Sequence, residues 1–185
     1  MSRITKPVEI RRQEIIDTAR KLFIENGFDK TAISDIVKTL NVAQGLVYHY
    51  FKSKTDLLYA VIDDILKEEA IIKEKIVSEH PGKAKDCLRE LFSVENPELK
   101  KQLYGELFVS LAANQAIMEY ADKIMSTATE PFIVTLIERG NQDGSWNCEH
   151  PKETASFILY GIRGIINDSE PITGSIVSRV LGINE

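Results

Sequence analysis

The sequence predicts an all-α protein: an N-terminal three-helix unit built on a helix-turn-helix, then a larger helical bundle, about nine helices in all. Three observations predict it. Apolar residues recur at i, i+3 and i+4 through every long segment, and strand-like alternation is sustained nowhere. Helix-start and helix-stop residues separate those segments at regular intervals. Charge is also divided. Residues 1–55 carry 10 Lys and Arg against 6 Asp and Glu, net +4, whereas residues 56–185 carry 13 against 22, net −9. A basic head on an acidic body suits a localised polyanion footprint, which the whole-chain charge of −5 conceals.

The elements of the head follow in order. Met1 to Pro7 reads as an arm carrying Arg3 and Lys6, with Arg11 and Arg12 opening the first helix. That helix covers about Glu9 to Asn26, with Ile15, Ile16, Ala19, Leu22 and Phe23 on one face and Gly27 as its stop. Thr31 is placed to N-cap the second helix, with Asp35 in its first turn, where the helix dipole favours a carboxylate. Ile33, Ile36, Val37 and Leu40 give its buried stripe, and Asn41 ends it, since Asn tolerates the left-handed backbone. The third helix runs from about Ala43 to Phe51, with Val47 and Phe51 inward.

This leaves Gln44, Gly45, Leu46, Tyr48, His49 and Tyr50 on or near the outward side. That face has no acid, one amide able to read a base edge, and a Gly that costs a helix interior about 1 kcal/mol against Ala. Close approach to a phosphate backbone would account for the Gly. Ser53-Lys54-Thr55-Asp56 matches a capping box and starts the next helix. Lys54 then stands at a helix N-terminus, where a cation and free N–H groups suit an anion.

The pattern V-x-x-G-x-V-Y-x-Y-F-x-S-K, Val42 to Lys54, resembles the DNA-binding signature of the TetR family of bacterial transcriptional regulators, and the resemblance extends over about residues 9–60. Two residues depart from it: Asn41 stands where the family usually has Gly, and Leu46 where it often has Thr or another polar residue. Any readout at Leu46 is therefore apolar, as to a thymine methyl.

The body continues the helical pattern. A long helix from Ser53 to about Ser78 spans roughly 37 Å at 1.5 Å per residue, enough to link two units. His80-Pro81-Gly82 breaks the chain, and a short helix follows over 82–93. Asn96-Pro97-Glu98 starts a helix to about Ala113. Another covers about Gln115 to Arg139, where Pro131 should kink or split it, and residues 140–145 read as a surface loop. Pro151 starts a helix to about Asn167, and Pro171 starts the last.

Enzymatic and metal chemistry find little support. Cys148-Glu149-His150 offers two zinc ligands where three or four are needed, and nucleotide-binding, hydrolase and metalloprotease motifs are lacking. Cys87 and Cys148 read as reduced thiols. No cofactor or metal is expected. No apolar run approaches 18 residues and no secretory signal is seen, so a soluble cytoplasmic protein without membrane association is expected.

The resemblance implies a ligand-responsive transcriptional regulator, a repressor acting as a homodimer on a near-palindromic double-stranded DNA operator. Residues 1–53 would form the DNA-binding domain and 54–185 the effector-binding and dimerisation domain. Gln44, Gly45 and Leu46 would meet bases, and Tyr48, His49 and Lys54, with Thr31 and Ser34 at the edge, would hold phosphates. Phe108, Phe132 and Tyr160 would line a cavity for an unidentified small-molecule effector. Ile158, Gly161, Ile162, Gly164, Ile165, Ile176, Val177 and Val180, on the last two helices, would form the dimer interface. The alternatives are a DNA-bound structural or partner-recruiting protein without an effector, and an all-α enzyme whose N-terminal hairpin is scaffold.

Overall fold

The computed structural model describes residues 7–94, 104–107, 114–165, 176–177 and 179–182, with backbone alone at 92–94 and 162–165. Every element among these is helical, and the protein is all-α. Seven of the nine expected helices have described bounds: α1 Val8–Asn26, α2 Ile33–Leu40, α3 Gln44–Tyr50, α4 Lys54–Glu79, α5 Ala84–Val94, α6 Gln115–Asp143 and α7 Pro151–Ile165. The expected helix start at Asn96-Pro97-Glu98 lies outside the described residues, although 104–107 are helical; so does the start at Pro171. The chain divides into two compact units. Unit 1 is Met1–Ile65 with Lys100–Met118, and unit 2 is Leu66–Leu99 with Glu119–Glu185. α4 contributes residues to both.

In unit 1, Ile15, Ile16, Ala19 and Phe23 of α1 are buried with Ile36 of α2, Val47 of α3, and Leu57, Leu58 and Val61 of α4. The rings of Phe23 and Phe28 meet edge-on at 5.5 Å. Gly27 ends α1 at φ 83° and ψ 158°, a conformation essentially confined to glycine, and its N–H donates to Phe23 O. Arg20 and Gln13 on α1 both donate to the Asp64 carboxylate on α4, at 3.3 and 3.0 Å.

Unit 2 packs around Leu88, Leu136, Ile137, Trp146, Ala155 and Ile158. Here two expectations are corrected. Of the kink or split expected at Pro131, the split is excluded: α6 runs unbroken to Asp143. The proline ring is exposed, so the Thr127 carbonyl it leaves without an N–H partner lies on a solvated side of the helix. The surface loop expected at 140–145 is helical to Asp143, and Gly140 is buried. The Trp146 indole lies against Gly140 where a Cβ would stand, and its Nε1–H donates to Ile137 O at 2.8 Å. Only glycine lets the chain fold back so closely.

The turn after α6 also caps α5. The Asp143 carboxylate accepts from Ala84 N–H at 2.6 Å and from Ser145 N–H at 2.9 Å, and Ser145 Oγ accepts from Lys85 N–H. Partial burial alone would raise the Asp143 pKa; the hydrogen bonds from Ser145 and Ala84, with the nearby Lys83 charge, outweigh it and hold the carboxyl below its usual range. Farther along, Asn141 clasps the Cys148 backbone, donating to its O at 2.8 Å and accepting from its N–H at 2.7 Å. Cys87 is buried, and that burial pushes its thiol pKa up against the opposing charge of Arg139.

Candidate nucleic-acid interface

The turn between α2 and α3 is set by two residues. Asn41 adopts φ 52° and ψ 50°, the left-handed cap, and its N–H reaches the carbonyls of Lys38 and Val37. Val42 N–H bonds Val37 O at 3.2 Å, which closes the turn in Schellman fashion. Asn thus does the work glycine more often does, at some steric cost. At the other end of α2 the Asp35 carboxylate accepts from Ala32 N–H at 2.9 Å.

Thr31 is a correction. The N-cap is Ala32, and Thr31 is only 2% exposed. Its hydroxyl donates to the Gly27 carbonyl at 2.8 Å, with the Leu22 carbonyl at 3.2 Å. It ties the end of α1 to the start of α2 and is not available to a phosphate. Ser34, by contrast, is exposed.

α3 is short and held from beneath. Val47 and Phe51 are buried, as their spacing requires, and the Arg12 guanidinium covers the Phe51 ring at 5.2 Å. Gln44, Gly45, Tyr48 and His49 are exposed, while Leu46 and Tyr50 are half-buried. A Cβ at Gly45 would meet nothing within 4 Å, so no neighbour inside the fold requires that glycine. The His49 and Tyr50 rings lie edge-on at 5.2 Å.

The next helix begins as a capping box with a shifted return. Ser53 Oγ accepts from Asp56 N–H at 2.9 Å, but the Asp56 carboxylate accepts from Lys52 N–H instead of Ser53 N–H. Lys54 opens α4, half-buried, with its ammonium 4.2 Å above the Phe28 ring and one N–H donated to Asp29 O at 3.3 Å. Lys38 on α2 and Lys52 beside α4 are exposed cations that the sequence reading did not single out.

The structure does not gather the expected effector residues. Phe108 lies outside the described residues. Phe132 is half-buried against the unit 2 core. Tyr160 is 64% exposed, so it lines no interior cavity, and this expectation is corrected. Two expected interface residues are also corrected: Ile158 and Val177 are buried inside unit 2. Ile176 and Val180 are exposed, and Gly161 has open space where a Cβ would stand. The side chains of Ile162, Gly164 and Ile165 lie outside the described residues. Phe157, not anticipated, is as exposed as Tyr160. The signal was present: 157, 160, 161 and 164 share one helical stripe, and 155, 158 and 162 another.

A left-handed turn holding a short helix with an exposed, acid-free face, on an all-α body, defines a helix-turn-helix DNA-binding protein. Comparison with known proteins agrees. The sequence pattern of "Bacterial regulatory proteins, tetR family" matches residues 15–61. The regulator HbdR of Aromatoleum is 43% identical over 61 residues, a third of this chain (33%) but only 27% of that protein. QacR of Staphylococcus aureus is 23% identical over 164 residues, 84% of each chain. The crystal structure of RolR bound to resorcinol superimposes with a TM-score of 0.65 at 20% identity, covering 95% of this chain and 89% of that one. Residues 15–61 thus carry the DNA-binding signature of the TetR family of helix-turn-helix transcriptional regulators, and the relatives that resemble the longer chain are transcriptional regulators and not enzymes. Among the described residues no helix is long and apolar enough to cross a membrane.

Proposed function

We propose that the protein is a homodimeric repressor which binds a near-palindromic operator through α3 and leaves it when a small molecule binds unit 2. The exposed, acid-free face of α3 carries this reading. Residues 1–53 serve as the DNA-binding domain and 54–185 as the effector and dimerisation domain. Gln44 reads a base edge from the first turn of α3, Gly45 lets the backbone approach, and Leu46 makes an apolar contact. Tyr48, His49, Ser34 and Lys54 hold phosphates, with Lys38 and Lys52 beside them. The protein acts in the cytoplasm, where its operator is.

Dimerisation is assigned to the stripe Phe157, Tyr160 and Gly161 on α7, with Ile176 and Val180. Two aromatic side chains left 64% exposed suit a second copy of the same surface. RolR supports the effector half of the proposal, since a small phenol is bound in that all-α fold. Phe132 remains the aromatic that can line such a site.

Selection of binding sites from a random duplex pool tests the proposal. The expected product is a two-fold symmetric consensus, and Gln44→Ala should relax one base pair in each half. Failure to retain any duplex at low salt would leave the hairpin as scaffold and overturn the reading.

A further inference from the structure

Arg12 lies on the inward stripe of α1, at the edge of the core. Positions 8, 12 and 16 share that stripe. Ile16 is 2% exposed and Val8 is 60% exposed, so the core ends between them, and Arg12 stands exposed where it ends. Its guanidinium rests over the ring of Phe51, the C-cap residue of α3, at 5.2 Å. The other two arginines of α1 are paired, Arg11 with Glu14 at 2.7 Å and Arg20 with Asp64 at 3.3 Å. Arg12 makes no hydrogen bond or ion pair among the described residues, although Glu9 stands one turn away on the same helix. A ring attracts the cation but takes none of its five N–H donors in an ordinary hydrogen bond.

We infer that Arg12 is a phosphate anchor, a contact from α1 to the DNA strand beside the C-terminal end of α3. This rests on the DNA-binding reading above and adds a residue that the family pattern, matching only 15–61, does not assign. The major groove is about 12 Å wide, so a helix seated in it has a phosphate strand within about 6 Å on one side or the other. A guanidinium stacked on the last residue of that helix stands where such a strand passes. Its planar fork suits two oxygens of one phosphate, and the ring holds it in place before DNA arrives, so less side-chain freedom is lost on binding. Lys54 is held the same way, over the Phe28 ring at 4.2 Å. The local charge agrees: from Ala43 to Thr55 the chain carries no acid, and Lys52, next to Phe51, is an exposed cation.

The test is binding of the full chain to two labelled duplexes, the one recovered by selection and a scrambled one, over a series of salt concentrations. Arg12→Met keeps an apolar stem over Phe51 and removes the charge. It should weaken binding to both duplexes several-fold and lower the log–log salt slope by roughly one unit for each protomer engaged. Arg12→Lys should keep the parent's slope and only part of its affinity, having the charge without the fork. Lys123→Met, which removes an exposed cation from unit 2, should change neither. On the selected duplex, ethylation of one phosphate in each half should weaken the parent and leave Arg12→Met unaffected. Thermal unfolding checks that each variant folds; should Arg12→Met not fold, Arg12→Gln gives the same readout. A parent-like salt slope and ethylation pattern in Arg12→Met would show that the guanidinium only covers the ring. Loss on the selected duplex alone would make Arg12 a base reader, and an equal fall in Lys123→Met would show bulk charge instead of a contact; each overturns the inference. The DNA-binding reading fails separately, when the parent itself retains no duplex, and this inference would then fall with it.

Discussion

One hydroxyl group separates two readings of Thr31. As an N-cap it would lie at the surface beside a phosphate; in the structure it is buried and bonded to the end of α1. Thr31→Val keeps the shape and removes the donor, leaving the Gly27 carbonyl without that partner. The expected cost is about 1–3 kcal/mol of stability, read by denaturant unfolding, with the operator affinity of the folded fraction unchanged. Lys54 should behave oppositely. If Lys54 holds a phosphate as proposed, Lys54→Ala should weaken binding to every sequence and lower the log–log salt slope by roughly one unit. An equal salt slope for the variant and the parent would remove Lys54 from the interface. The two residues also show what the sequence conceals at this scale. Spacing placed Val47 and Phe51 inward correctly, because α3 has one covered face. It misplaced Ile158 and Tyr160, because α7 carries two apolar stripes and local periodicity cannot say which one the protomer covers.

At the scale of elements, the local caps at Asn41 and Ser53 were legible, the local N-cap of α2 was misassigned to Thr31 when it is Ala32, and a cap from a distance was not legible. Asn41 and the Ser53–Asp56 box are local, so their residue types announce them. Asp143 caps α5 from 59 residues away, and nothing near Ala84 signals it. The expected loop at 140–145 is helix to Asp143 for a nearer reason, because Gly140 serves the Trp146 indole six residues on and not a turn. The Asp143 cap has a pH consequence. Its folded pKa is depressed below an unfolded value of about 3.9, so its contribution is fully present above that value and is lost as pH falls through the folded pKa. Asp143→Ala should cost about 1 kcal/mol at neutral pH, as the loss of an N-cap does. The parent and variant stability curves, followed by urea unfolding, should converge on acidification. Curves that stay parallel down to the lowest accessible pH would show that the carboxylate charge is not what caps α5.

At the scale of the whole molecule, the sequence supplied the division of charge, +4 in the first 55 residues and −9 in the rest, and the family signature in the head. It could not supply the partner surface, since a self-complementary face is recognised only once the protomer's own packing is known. Phe157→Glu with Tyr160→Glu should give a folded monomer by sedimentation, and one that binds a full operator weakly while retaining half-site contacts. An unchanged dimer would move the interface off α7.

The regulatory proposal makes a demand that a DNA-binding protein without a ligand switch cannot meet. An effector changes operator affinity only if it binds the DNA-competent and DNA-incompetent dimers with different affinities. With a coupling of about 1–3 kcal/mol, effector binding weakens the operator roughly 5–150-fold, and operator must weaken the effector by the same factor. α4 is the element we propose to carry this, since it opens at Lys54 in unit 1 and continues into unit 2. The measurement is a calorimetric titration of a small molecule that stabilises the free protein, with and without saturating operator. Affinities should differ between the two titrations by the factor seen in operator release. Equal effector affinity in the two titrations would show that unit 2 binds the small molecule without signalling, and the chain would then be a DNA-binding protein without a ligand switch.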